Sequence, residues 1–86
     1  MKIAYTPQFV RMFRKLESAL QEEAVEKIEL FEKNPNHLQL KAHKLKGSLQ
    51  NRYSFSVNYQ TRIVYTFISK TEVAFLAIGD HDVYKR

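Results

Sequence analysis

The chain has 86 residues and no cysteine. That excludes disulfides, thiolate nucleophiles, iron–sulfur clusters and cysteine-ligated zinc, and it fits a reducing compartment. No apolar stretch of signal-peptide length follows Met1, and no run approaches the ~20 apolar residues of a membrane span. The expectation is a cytoplasmic protein with no membrane partner. Repeats, linkers and low-complexity tracts are missing too. Length is itself scarce. Domains usually run ~100–150 residues, so one domain over 1–86 is expected, and a Rossmann unit with a substrate domain or a barrel enzyme is excluded. One further absence is local: residues 33–70 contain no aspartate or glutamate.

What is present is enough for one core. Hydrophobic residues make up 44% of the chain, far from the disordered class. Net charge is +5 and the pI is about 9.6. A basic balance is compatible with plain solubility or with a polyanionic partner; its distribution says more. Residues 17–32 hold six glutamates and one lysine, while 33–70 hold seven lysines and arginines and no acid. Such asymmetry points to an anionic partner.

Residues 2–6 read as a short strand. Thr6-Pro7 suits an N-cap followed by the first helical residue. Phe9, Phe13, Leu16 and Leu20 then recur on one helical face. Ser18-Ala19-Leu20-Gln21 has the form of a capping box. It would open a second helix with Leu20, Ala24, Val25, Ile28 and Phe31 inward, closed by Asn34-Pro35. The two helices would form an antiparallel hairpin. Residues 36–51 read as loop. From Arg52 the period changes to two: Tyr53, Phe55 and Val57 alternate with Ser54, Ser56 and Asn58, a strand with one wet face. Thr61–Ile68 and Glu72–Ile78 read as central strands joined by a hairpin at 69–71. The order β-α-α-loop-β-β-β gives an α+β domain: an N-terminal strand and helical hairpin packed on a mostly antiparallel, four-stranded sheet.

The helices ending in Asn34-Pro35, the element His43-Lys44-Leu45-Lys46-Gly47, the strand Thr61-Arg62-Ile63-Val64-Tyr65 and the closing Ile78-Gly79-Asp80-His81-Asp82-Val83-Tyr84 occur in one order in a short chain. In that combination the sequence resembles the RelE/ParE superfamily of toxins from bacterial type II toxin–antitoxin pairs. It is nearest the RelE- and YafQ-like mRNA interferases. The resemblance implies a RelE-like fold and ribosome-dependent cleavage of mRNA in the A site. There the 2′-hydroxyl attacks the adjacent phosphate, without metal or cofactor. Such chemistry needs a group to take the 2′-proton, a group to stabilise the phosphorane and a group to protonate the leaving oxygen. Histidine suits the two proton transfers, and arginine or lysine the charge.

Carried onto this chain, the resemblance makes His81 the general acid and His43 the base or a phosphate contact. It places Arg62 on the scissile phosphate. Lys44 and Lys46 become candidate backbone-phosphate contacts, Tyr84 a base-stacking residue, and Ser54, Ser56 and Lys85 further substrate contacts. Plainer readings stand beside these. His81 is otherwise a solvated side chain, His43 and Lys44 ordinary loop residues, Arg62 half of a surface ion pair with Glu72, and Tyr84 part of tail packing. Asp80 and Asp82 flank His81, where they would orient its ring and raise its pKa or merely offset positive charge. The sequence departs from the pattern at Ser54 and Ser56, where relatives carry lysines or a histidine. It departs again at Gln39, where another branch has a carboxylate, and at Asn58 and Gln60, opposite an expected aspartate.

The partners implied are a cognate antitoxin, the ribosomal A site with its mRNA, and operator DNA through the antitoxin only, the free toxin being monomeric. The antitoxin would lay an acidic or amphipathic segment on the basic stretch, or a helix in the groove between the helical hairpin and the sheet. Two other readings are a ParE-like poison of DNA gyrase and an inactive toxin-fold interaction module.

Overall fold

The computed structural model describes residues 1–47, 51–80 and 83. It runs β1 (Lys2–Tyr5), α1 (Pro7–Arg14), α2 (Ser18–Lys33), a 3₁₀ turn (Leu38–Leu40), β2 (His43–Lys44), β3 (Tyr53–Ser56), β4 (Arg62–Phe67) and β5 (Glu72–Gly79). The sheet order is β1-β5-β4-β3-β2. β1 lies parallel to β5, and every other pairing is antiparallel. This is the α+β arrangement expected from the residue pattern, with five strands in place of four. The extra strand is His43–Lys44, inside the segment read as loop. A two-residue strand has no period of its own and exists only through its pairing with β3.

Thr6 starts α1 as its sequence suggests. Its hydroxyl oxygen accepts from the Phe9 amide at 3.2 Å, and its hydroxyl proton goes to the Phe75 carbonyl at 2.7 Å. One side chain thus caps the helix and ties its start to β5. The capping box is corrected. Glu17 holds the N-cap position of α2 with no side-chain cap bond, and Ser18 is the first helical residue. The Gln21 amide instead donates to the Phe13 carbonyl at 2.9 Å, beside the Leu16 amide that already reaches it at 3.1 Å, and so ties the start of α2 to the end of α1. At the far end of α2, Asn34 sits at φ −154°, and its side-chain oxygen accepts from the Asn36 amide. The chain leaves the helix where proline requires.

The main core lies between the helices and one sheet face. Phe31 from α2 stacks on Phe55 at 4.7 Å between ring centres, and its ring meets Tyr65 at 5.0 Å and Phe75 at 5.6 Å edge-on. Phe9, Ala24, Ile28, Leu40, Val57, Ile63, Val73 and Ile78 complete it. Burial, with Tyr53 alongside, pushes the Tyr65 phenol up to about 12. Val25 departs from expectation: it is 46% exposed and lies outside the core. A smaller cluster of Leu45, Val64, Ala77 and Val83, with Met12 and Leu76 against it, occupies the opposite sheet face. Among the described residues no helix is long and apolar enough to cross a membrane.

Candidate functional site

Register decides which candidate side chains can act together. His43 pairs with Ser54, Ser54 with Val64, and Val64 with Ala77. In the next row Ser56 pairs with Arg62, and Arg62 with Gly79. Cross-strand partners and residues two apart share a face. His43, Ser54, Ser56 and Arg62 therefore project from the face opposite the helices, and β5 ends beside Arg62, two residues before His81. Lys44 pairs with Tyr53, which packs on the helical side, so alternation sends Lys44 to the other face at the sheet edge. Lys46 is exposed beyond β2. It precedes Gly47, whose φ of 74° is left-handed backbone that glycine adopts without strain. The glycine of the His-x-Leu-Lys-Gly element thus has a backbone role.

His43 is exposed, and its ring is oriented by its own chain. Nδ1–H donates to the Lys41 carbonyl at 3.0 Å. A carbonyl only accepts, so the neutral ring carries its proton on Nδ1 and its lone pair on Nε2. That tautomer is the one a proton acceptor working through Nε2 requires. Lys41 itself is held at φ 51° beyond the 3₁₀ turn.

Ser54 is corrected as a substrate contact. It is 0% exposed, and among the described residues no buried side-chain nitrogen or oxygen lacks a hydrogen-bond partner. The face expected to be wet is dry at this position, where Val64, the β4 partner of Ser54, packs with Leu45, Ala77 and Val83 in the smaller cluster. Ser56, one step nearer the strand end, is half-buried and lines an open cleft.

Arg62 is half-buried, and one of its terminal nitrogens is committed. Nη1 donates to the carbonyls of Asn58 at 2.7 Å, Tyr59 at 3.1 Å and Thr61 at 3.3 Å. The alternative of an ion pair with Glu72 is excluded by register: Arg62 pairs with Gly79, at the other end of β5 from Glu72. His81, Tyr84 and Lys85, as well as Asp82, lie outside the described residues. Between them the Val83 amide donates to the Asp80 carbonyl at 3.0 Å, and Val83 is buried in the smaller cluster.

Ser56 and Arg62 line one cleft of the surface, and the helical hairpin forms another. One, about 440 Å³, gathers Ser56 and Arg62 with Lys27, Lys41, Gln39, Glu23 and the 57–59 turn. Sequence pattern does not single out Lys27, Lys41 or Tyr59, although Lys27 is the one base in the glutamate-rich stretch 17–32. The other, about 430 Å³, is an apolar groove between α1 and α2, floored by Phe9, Phe13 and Ile28 and edged by Tyr5, Val25, Arg14, Glu29 and Glu32. Burial, and then the charge of nearby Glu32, raise the Tyr5 phenol above its ordinary range. No cluster of three or more metal-ligating His, Asp or Glu occurs among the described residues.

No protein-family model and no curated protein matches the chain. Solved structures do. YafQ from Escherichia coli superposes with a TM-score of 0.79 at 17% identity, covering 96% of each chain. The RelBE2 toxin–antitoxin complex from Mycobacterium tuberculosis contains a chain matching with a TM-score of 0.77 at 18% identity, over 93% of this chain and 96% of that one. A YoeB/ParE toxin from Agrobacterium tumefaciens matches with a TM-score of 0.75 at 19% identity, over 94% and 99%. The fold is therefore shared with these toxins over most of the chain.

Proposed function

We propose that this chain is the toxin of a toxin–antitoxin pair and cuts mRNA in the ribosomal A site. The observation that carries the reading is the sheet register. On a fold shared with such toxins, His43, Ser56 and Arg62 stand on one face of β2, β3 and β4, and β4 lies directly beside β5, the strand that leads to His81. In the proposed step the 2′-oxygen bonds to the adjacent phosphorus while the bond to the next nucleotide's 5′-oxygen breaks. The products are a 2′,3′-cyclic phosphate and a 5′-hydroxyl. His43 Nε2 takes the 2′-proton, His81 gives one to the leaving oxygen, and the guanidinium of Arg62 offsets the phosphorane charge. Lys46 holds backbone phosphate. Tyr84 and Lys85 contact substrate from the tail.

Burial of Ser54 bears on the inactive-module alternative. Of the two serines that suggested it, only Ser56 reaches the cleft.

The expected partner is an antitoxin, as in the RelBE2 complex. The apolar groove between α1 and α2, with Tyr5 and Val25 exposed along it, suits one face of an amphipathic helix.

Brief expression followed by mapping of mRNA 5′ ends tests the function. Cuts at a fixed position within codons are expected, and they disappear in His81→Ala. A DNA-damage response without such cuts would replace this reading by gyrase poisoning.

A further inference from the structure

Tyr59 sits at the tip of the β3–β4 turn with 90% of its surface exposed. An exposed tyrosine is ordinary by itself. The turn beneath it is not. Loop tips are commonly the least restrained part of a domain, yet this one is held from every side. The Asn58 side-chain oxygen accepts from the Gln60 and Thr61 amides at 2.9 and 2.8 Å. Its amide nitrogen donates to Glu23 on α2 at 2.8 Å. Arg62 Nη1 clamps three turn carbonyls, that of Tyr59 among them, and the Val57 amide donates to the Thr61 carbonyl at 2.9 Å. An aromatic ring on so fixed a backbone loses little conformational freedom when a flat partner settles on it.

The surroundings indicate what that partner is. Tyr59 shares its cleft with Lys27, Lys41 and Arg62. The acid there, Glu23, accepts a hydrogen bond from Asn58. A π-face beside a cluster of cations is the combination that binds single-stranded nucleic acid: bases stack, and lysines neutralise the phosphates that flank them. Ser56 and Arg62 belong to the same cleft, so a base on Tyr59 is a near neighbour of any phosphate at Arg62.

We propose that Tyr59 is a base-stacking platform and that Lys27 and Lys41 are its phosphate contacts. Together they form a positioning subsite for single-stranded RNA next to the cutting site. The choice of RNA as ligand rests on the function proposed above. The subsite takes no part in proton transfer; it sets which nucleotide is presented and how firmly.

The test uses the full chain and a labelled hexa-adenylate RNA, with binding followed by fluorescence anisotropy. Tyr59→Ala weakens binding about 5- to 150-fold, and Tyr59→Phe, which keeps the ring, stays within about twofold of wild type. The double variant Lys27→Ala/Lys41→Ala lowers the slope of log K against log salt by about 1.4, for two phosphate contacts. The chain contains no tryptophan, so Tyr59→Trp installs a single reporter whose emission the RNA should quench. Circular dichroism of each variant checks that the fold is kept. Unchanged binding by Tyr59→Ala, an unquenched Trp at position 59, or no binding by wild type would each overturn the platform. The two readings fail separately. Cuts in cells with unchanged Tyr59→Ala binding would remove the platform and leave the nuclease, whereas Tyr59-dependent binding without cuts would do the reverse.

Discussion

His43 and Arg62 show how one side chain can carry both geometry and chemistry. The Lys41 carbonyl fixes the His43 tautomer at 3.0 Å, so the loop that looked like filler sets which nitrogen can accept a proton. Arg62 spends one nitrogen on the turn, and on the proposed reading the rest of its fork meets the phosphate. Removing it therefore has two consequences. Arg62→Ala is expected to cost about 1–2 kcal/mol, as charged hydrogen bonds to three carbonyls are lost. In a domain this size that is a fall in Tm on the order of 5–15 °C. A thermal melt checks it, and a Tm equal to wild type would mean that the carbonyl contacts do not hold the turn. Loss of activity in this variant must be measured below its melting range to count as chemistry. Ser54 and Ser56 had looked equivalent in sequence, two residues apart on one strand. Long-range packing separates them: Ser54 is fully buried beside Val64 of the smaller cluster, and Ser56 stands at the cleft.

At the level of elements, legibility follows how local the deciding interaction is. Thr6-Pro7 was readable because cap, proline and first turn lie within four residues. The end of α2 at Asn34-Pro35 was readable for the same reason. The Ser18 capping box was misread because Gln21 answers to the Phe13 carbonyl of the preceding helix. Val25 has core-like spacing, yet it faces the groove between helices, since a periodic pattern cannot say which apolar stripe is covered. β2 was invisible, being two residues long and made only by its partner. The aromatic core was visible as a list of residues but not as a hub. Phe31 is that hub, touching Phe55, Tyr65 and Phe75. Phe31→Ala should cost about 3–5 kcal/mol, a large share of the roughly 4–13 kcal/mol available to a domain of this length. Urea unfolding would show a midpoint lower by about 1 M or more, or no cooperative transition. A midpoint within a few tenths molar of wild type would show that the layer repacks without it.

For the whole molecule, charge carries the account. Lys41 and Arg62 of the positive middle segment line one cleft, while Glu29 and Glu32 of α2 border the apolar groove, so on the proposed reading RNA and antitoxin meet different surfaces. The domain's pH response has a defined sign at the alkaline end. Tyr65 ionises at about 12 in the folded chain, against 10.0 for an unperturbed tyrosine. The neutral form is thus favoured by folding. The resulting stability is fully present below pH 10 and is lost as pH rises from about 10 through 12. Tyr5, raised as well, adds with the same sign. Tyr65→Phe should flatten the decline in stability over that window in parallel urea titrations, and an unchanged slope would assign the alkaline loss to other groups.

The most direct test of the central claim uses purified translation complexes with a defined codon in the A site. Added protein is expected to cut the mRNA within that codon, leaving a 2′,3′-cyclic phosphate. The same mRNA without ribosomes should stay intact, and His81→Ala should leave it intact in both cases. Equal cutting of free and ribosome-bound mRNA, or no cutting by the wild-type chain, would contradict the account.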